Sequence, residues 1–296
     1  MHNRLALGTA QFGMNYGIAN QSGQVMPDVA KSIVELSRSS GFDTLDTAMS
    51  YGDSEQRLGQ IGVNDWRIVS KLPAVPAGCS DIPQWVATAV DESLQRLKTD
   101  KLYGLLLHRP QQLLEQAGDQ LYLALQALKR DGRVQKIGIS IYDPSELTCI
   151  LDRYRIDLVQ APFNALDRRL IETGWLQRLS DQDTELHVRS VFLQGLLLMK
   201  PGDRPLKFSR WSALWARWDE WLAQCGLTPL QACLRYALSF QQIGKVIVGV
   251  DSVKQLHEIR LASAGPALEL PDGLGTNDPD LISPVNWASL TWTPHR

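Results

Sequence analysis

The sequence predicts a (β/α)8 TIM barrel, a parallel eight-stranded barrel of the α/β class, and three observations carry that prediction. Short apolar, β-prone runs recur along the whole chain with helix-patterned segments between them. The runs number eight, and their even distribution favours a closed barrel over a doubly wound open sheet. No GxGxxG follows the first run, which argues against the open sheet a second time.

In chain order, a strand at Leu5 to Gly8 precedes a helix at Pro27 to Ser39, whose leading proline suits a first helical position. Phe42 to Asp46 forms the second strand, and Asp53-Ser54 before Glu55 starts a helix that runs to Ile61. Arg67 to Lys71 and Leu102 to Leu107 follow as strands, with helices at Ile82 to Leu97 and Gln120 to Asp131. Lys136 to Ser140 leads to a helix from Pro144 to Tyr154, opened by Asp143-Pro144, and Asp157 to Ala161 leads to one from Arg168 to Ser180. After the seventh strand, Glu185 to Ser190, an extra Trp-rich amphipathic helical segment at Trp211 to Cys225 precedes the helix Pro229 to Ser239. The last strand, Lys245 to Gly249, is followed by Asp251-Ser252 and a helix to Ala264. From about Pro266 the tail, with PDGLG, NDP and SP, reads as loop, and Trp287 and Trp292 are expected to pack part of it on the body over the barrel mouth.

A length of 296 residues suits one such barrel as a single domain over 1–296. Hydrophobic residues at 44% and charged residues at 21% describe a globular chain. Lys and Arg total 30 against 32 Asp and Glu, a net charge of −2, and no basic cluster stands out, so neither nucleic acid nor an acidic membrane surface is expected as a partner. Cys79, Cys149, Cys225 and Cys233 lack both CxxC spacing and disulfide-scaffold density, which reads as small buried hydrophobes in a reducing compartment. The N-terminal apolar run is too short for a signal peptide and no window approaches about 18 apolar residues, so a cytoplasmic location is expected.

Chemistry concentrates at the carboxyl ends of neighbouring strands, where barrels of this class place their sites. Asp46 ends the second strand, Lys71 the third, His108 follows the fourth, and Tyr51 overhangs them from the second loop. Singly, each has an ordinary structural explanation: a turn cap, a solvated lysine, a satisfied loop carbonyl, loop packing. Together they form a proton-transfer group, in which an ammonium stabilises a phenolate and eases release of the tyrosine proton. Asp46 would keep Lys71 charged and aimed, while His108 would hydrogen-bond a substrate oxygen or share in proton transfer. Such a group protonates a carbonyl oxygen, and none of its members supplies a hydride, so a reduction needs a cofactor.

The segments LGTAQFG, GFDTLDTAMSYGDSEQRLG, VSKL, LLLHRP, KIGIS, LVQAPFN, QGLLLMK and VIVGVDSVKQLHEI, in that order, resemble the aldo-keto reductase family, the second of them being highly specific. The resemblance implies an NADP(H)- or NAD(H)-dependent oxidoreductase that interconverts small carbonyl compounds and alcohols, with Asp46, Tyr51, Lys71 and His108 as its tetrad, Tyr51 as general acid and no catalytic metal. It also implies a dinucleotide site drawn from Gly8, Thr9, Ala10 and Asp46, from Ser140 and Gln160 at the carboxamide, from Arg189, Ser190, Phe192 and Gly195 in the seventh loop, and from Gly249, Asp251, Ser252, Gln255 and Glu258 after the eighth strand.

Departures from the family pattern are informative. Ile141 stands where an amide side chain is usual, and Arg189 where an aromatic residue commonly stacks on nicotinamide, leaving Arg189 as a stacking plane, a substrate-anion receptor or a paired strand-end residue. Asp251 and Ile259 replace residues of the NADP-preferring pattern; a carboxylate repels a 2′-phosphate and accepts a hydrogen bond from a ribose hydroxyl, unless Asp251 only caps the last helix. Tyr16 in the first loop, with Met14 and Asn15, together with Met49, Arg109, Phe163 and Phe192, is expected to form the substrate pocket, with Trp211 or a tail Trp as its cap. Arg109, directly after His108, suggests a polar or anionic substrate such as a sugar derivative. Two rivals remain at this stage: a cofactor-sensing subunit with little turnover, and a barrel isomerase or lyase using Lys71 as a Schiff-base amine, disfavoured because Asp46 would keep that amine protonated.

Overall fold

Eight short strands close on themselves in sequence order: β1 (Leu5–Gly8), β2 (Thr44–Asp46), β3 (Arg67–Leu72), β4 (Leu102–Leu107), β5 (Val134–Ser140), β6 (Leu158–Pro162), β7 (Glu185–Arg189) and β8 (Lys245–Gly249). All neighbouring pairs are parallel, and β1 pairs with both β2 and β8, so the sheet has no free edge. The structure is a computed structural model, and it describes residues 4–20 and 22–290.

The outer ring and the connections hold α1 (Ala10–Gly13), α2 (Pro27–Ser39), α3 (Ser54–Ile61), α4 (Ile82–Leu97), α5 (Gly118–Arg130), α6 (Glu146–Leu151), α7 (Arg169–Glu172), α8 (Trp175–Asp181), α9 (Ser212–Cys225), α10 (Pro229–Ser239), α11 (Val253–Ser263) and α12 (Pro279–Ile282). Their starts follow local chemistry. Asp81 accepts from the Gln84 N–H, Thr228 and Gln231 form a reciprocal capping box ahead of Pro229, and Ser252 accepts from the Gln255 N–H. Each ring helix turns an apolar stripe inward, as with Ile33, Val34 and Ala30 of α2, and one continuous core runs between helices and sheet.

Inside the barrel, a separate apolar plug of Val69, Leu106 and Leu158 fills the waist. Glycine makes room for it: a Cβ on Gly104 would lie 2.9 Å from Leu158 Cδ2, and one on Gly138 2.4 Å from Leu106 Cδ2. At the amino ends of the strands the floor is charged, with Glu185 accepting from Tyr103 (2.6 Å) and Lys136 (2.5 Å) and paired with His187 at 2.8 Å. Burial alone would raise the Glu185 carboxyl, but the hydrogen bonds from His187, Lys136 and Tyr103 overcome it and hold the group below the ordinary carboxylate range.

Several expectations need correction. The second strand begins at Thr44 rather than Phe42, whose ring is instead buried in the core outside the sheet. The helix expected at 144–154 shortens to Glu146–Leu151, and the one at 168–180 breaks at Gly174, which adopts φ +75°. The Trp-rich segment does form a helix between β7 and α10, as its pattern predicts. The tail is not wholly loop: α12 forms there, and Trp287 is buried with its ring 5.0 Å from that of Phe208. Trp292 lies outside the described residues. Of the cysteines only Cys233 is fully buried, and Cys149 and Cys225 are exposed. No helix among the described residues is long and apolar enough to cross a membrane.

Candidate active site

The loop that carries Tyr51 is held by close backbone packing. Gly13 of α1 meets Gly52 there: a Cβ on Gly13 would fall 1.7 Å from the Tyr51 carbonyl oxygen, and one on Gly52, at φ +53°, would fall 2.1 Å from the Gly13 carbonyl oxygen. Ser54 donates to the Thr9 carbonyl at 2.9 Å, and Thr9 Oγ1 donates to the Asp46 carbonyl at 2.9 Å, so the first two βα loops are stitched together. Glu55, buried, accepts from Ser70 (2.6 Å), Ser93 (2.7 Å) and Arg96 (2.9 Å), which fixes α3 to β3 and α4. The sequence stretch from Gly41 to Gly59 is therefore mostly scaffold for one phenol.

Beneath Tyr51 lies a buried ion pair. Lys71 Nζ, on a side chain only 1% exposed, donates to Asp46 Oδ1 (2.8 Å), Asp46 Oδ2 (2.9 Å) and the Thr47 carbonyl (2.9 Å). Nζ is thus directed at three protein acceptors, which disfavours Lys71 as a Schiff-base amine. Burial lowers the Lys71 pKa while Asp46 opposes that shift. Gln160 donates from Nε2 to Asp46 Oδ1 at 2.6 Å, and its Oε1 accepts from Ser140 Oγ at 3.4 Å, so these two residues orient the carboxylate.

The Lys71 ammonium sits over the Tyr51 ring, 5.1 Å from its centre. Burial first, and Asp46 second, push the phenol well above its ordinary pKa, with Arg189 pulling the other way, so Tyr51 holds its proton. His108 meets the Tyr51 ring edge-on at 6.2 Å between centroids, and its Nδ1 lies 3.3 Å from Ser50 Oγ. Burial, then the charges of Lys71 and Arg189, lower the His108 pKa to about 4, leaving a neutral imidazole at physiological pH. The four residues expected to act together are brought together.

A cavity of about 350 Å³ opens from this group, within the size range of small-molecule sites. Its lining contains Gly8, Thr9, Ala10, Asp46, Tyr16, Tyr51, Arg189, Ser190, Phe192, Gly195, Gly249, Asp251, Gln255 and Glu258, all singled out from the sequence. Ser140, Gln160 and Ser252 do not line it: the first two are buried behind Asp46, and the third caps α11. Among the residues expected to contact substrate, Phe163 is fully buried, stacked on Tyr236 at 5.4 Å, and so cannot touch a ligand in this arrangement. Arg109 points away, paired with Glu115 at 2.9 Å in an exposed position, and Met49 packs on the core. The polar or anionic substrate inferred from Arg109 loses that support. Trp211 and Trp287 also stand off the cavity, Trp211 donating to Asp278 at 3.0 Å.

The wall after β7 is strained backbone. Ser190, Leu193 and Gln194 adopt positive φ (62°, 48° and 53°), a region that costs non-glycine residues energy and clusters at functional sites. At its start Arg189 donates to the Ile141 carbonyl (3.0 Å) and to Ser190 Oγ (3.3 Å), with its guanidinium 4.6 Å from the Tyr142 ring centre.

The far end of the cavity lies at the start of α11. Ser252, not Asp251, caps that helix; the Asp251 backbone N–H donates to Gln255 Oε1 at 2.7 Å and its carboxylate accepts from Asn20 at 3.5 Å. Asp251 and Glu258 both line this end, and Arg189, at the other end, is the one Lys or Arg in the described lining. Gly249 keeps the floor clear, since a Cβ there would sit 2.5 Å from Gln11 Nε2. The cavity thus has a glycine floor, a helix N-terminus and carboxylates at one end, and the Tyr51 phenol at the other. Among the described residues no group of His, Cys, Asp or Glu has the arrangement of a metal site.

Sequence reasoning missed Gln11, Ala19, Asn20 and Gln194 in the lining, and Tyr142 behind Arg189. Gln11 was accessible by extending Thr9-Ala10 along the same segment; Asn20 and Gln194 sit in irregular loops that give no periodic signal.

Comparison with known proteins identifies the family. A family model described as the aldo/keto reductase family matches residues 4–266. The uncharacterized oxidoreductase YqkF of Bacillus subtilis (strain 168) is 26% identical over 282 residues, covering 87% of this chain and 90% of that relative. L-galactose dehydrogenase of Arabidopsis thaliana is 27% identical over 259 residues, covering 80% and 78%. The holo form of aldo-keto reductase AKR11C1 from Bacillus halodurans shares the fold at a TM-score of 0.72 and 23% identity, covering 90% of this chain and 88% of that one.

Proposed function

Because the chain belongs to the aldo/keto reductase family and is an oxidoreductase of that type, we propose that it reduces a small carbonyl compound with NADH, Tyr51 supplying the proton. The observation that carries this reading is the placement of a protonated, buried phenol on the wall of the same cavity whose far end presents Asp251 and Glu258. A bound dinucleotide would be held by Gly8, Ser190, Gly195, Gly249 and Gln255, and it would supply the hydride.

The residues of the chain do the rest. As the carbonyl carbon gains a hydride, negative charge grows on the carbonyl oxygen, and the Tyr51 O–H bond breaks to deliver its proton there. An alkoxide is far more basic than even a perturbed phenolate, so the transfer runs downhill. Arg189 lowers the cost of the phenolate left behind, and water restores its proton. Neutral His108 is available to hydrogen-bond the substrate oxygen. The Lys71–Asp46 pair stays charged throughout, fixed by Gln160, and acts as a buried dipole under the ring.

Cofactor choice follows from charge. Two carboxylates, with no Lys or Arg in the described lining of the adenosine end, support a ribose diol over a 2′-phosphate. The expected outcome is that NADH binds at least about tenfold more tightly than NADPH, a gap of ~1.4 kcal/mol. With Tyr51→Phe, kcat should fall by about 10²- to 10⁴-fold while the NADH dissociation constant holds within about twofold. Tighter binding of NADPH would defeat the cofactor assignment, and a Tyr51→Phe enzyme with wild-type kcat would defeat the chemistry.

A further inference from the structure

Arg189 is a cation without a counter-ion at the reacting end of the cavity. A guanidinium carries five N–H donors, and two of Arg189's are used, on the Ile141 carbonyl and on Ser190 Oγ, which leaves three. No carboxylate among the described residues lies within ion-pair distance of it; the carboxylate in the cavity wall at this end, Asp46, is already neutralised by Lys71. With His108 neutral, the reacting end therefore carries a net positive charge while the opposite end carries Asp251 and Glu258.

The side chain is also pre-set. Tyr142 lies against its face and the Ile141 carbonyl holds one nitrogen, which fixes the guanidinium plane, and Arg189 lines the same cavity as Tyr51. A planar guanidinium edge held in this way matches a planar carboxylate with two parallel hydrogen bonds. Arg189 is half-buried in the cavity wall, where a ligand anion gains a charge-assisted hydrogen bond.

We propose that Arg189 receives a carboxylate of the substrate, so that the substrate class is a short oxo acid whose carbonyl reaches Tyr51 while its carboxylate reaches Arg189. This rests on the carbonyl-reductase reading above and narrows it. It also replaces Arg109, whose side chain faces Glu115 outside the cavity, as the residue that selects for charge.

The test compares each acid with its own methyl ester, using glyoxylate and succinate semialdehyde under saturating NADH. Wild-type kcat/KM should favour the acid by about 10- to 100-fold, mostly through KM, as expected for a charge-assisted bidentate contact. In Arg189→Gln the acid-to-ester ratio should collapse to within about threefold of unity, and Arg189→Lys should retain part of it. Binding of malonate to the NADH complex, followed by tryptophan fluorescence, gives a readout that needs no turnover, and its dissociation constant should rise at least about tenfold in Arg189→Gln. Equal kcat/KM for acid and ester in the wild type, or an acid preference that survives Arg189→Gln, overturns the assignment of Arg189 and leaves the reductase reading standing. Absence of Tyr51-dependent turnover with every acid and ester overturns both.

Discussion

A phenol can serve as a proton donor only where it still holds its proton, and the surroundings of Tyr51 secure that. Burial and the Asp46 charge raise its pKa, so the group is loaded across the whole neutral range. His108 moves in the opposite sense: burial beside Lys71 and Arg189 favours the uncharged ring and brings its pKa down to about 4. The pH profile of carbonyl reduction follows from these directions. With His108 neutral and Tyr51 still holding its proton, kcat/KM should stay level from above about 4 to above the ordinary phenol value of about 10. An inflection near the free imidazole value of about 6.5 that vanishes in His108→Gln would contradict this. At this scale the sequence was legible in residue type and strand position but not in side-chain direction. Asp46, Tyr51, Lys71 and His108 were accessible because polar groups at the ends of adjacent apolar strands have one place to go. Arg109 and Phe163 were misassigned because position along the chain says which end of the barrel a residue occupies and not whether its side chain turns toward the cavity, the core or solvent.

Between residues and barrel, the loops decide the site's precision. Tyr51 is aimed by the contact of α1 with the second βα loop, where Gly13 and Gly52 bring two backbones together with no space for a side chain. A methyl group on Gly13 must displace the Tyr51 carbonyl, and a misplacement of the order of 1 Å in a reacting group costs about 10²-fold in rate. Gly13→Ala should therefore lower kcat about 100-fold, with a stability loss of about 1–3 kcal/mol from overpacking and the barrel's circular-dichroism spectrum unchanged. Wild-type kcat in that variant would show that the contact does not position the phenol. The start of α11 was legible from Ser252, since cap chemistry is local. The strained run from Ser190 to Gly195 was not, because positive φ at Ser190, Leu193 and Gln194 is imposed by tertiary contacts and violates the local preference of those residues.

For the molecule as a whole, the repeat of strand and helix made the closed barrel legible, because eight parallel strands with buried faces leave few other ways to hide their edges. What repetition could not reveal is the distribution of charge along the barrel axis: a charged floor around Glu185, an apolar waist of Val69, Leu106 and Leu158, and a mouth with Arg189 at one end of the cavity and Asp251 with Glu258 at the other. Those layers arise from residues distant in sequence and become visible only when the strands are in register. They separate the ion pairs at the floor from the Asp46, Lys71 and Tyr51 cluster at the mouth. The most direct test of the central claim is transfer of label from NADH carrying deuterium on the reacting position of its nicotinamide ring to an aldehyde, followed by mass spectrometry. Deuterium on the carbinol carbon of the product, formed by the wild type and reduced about 10²-fold or more in rate by Tyr51→Phe, is the predicted result. An unlabelled alcohol, or labelled alcohol formed equally fast without the phenol, would contradict it.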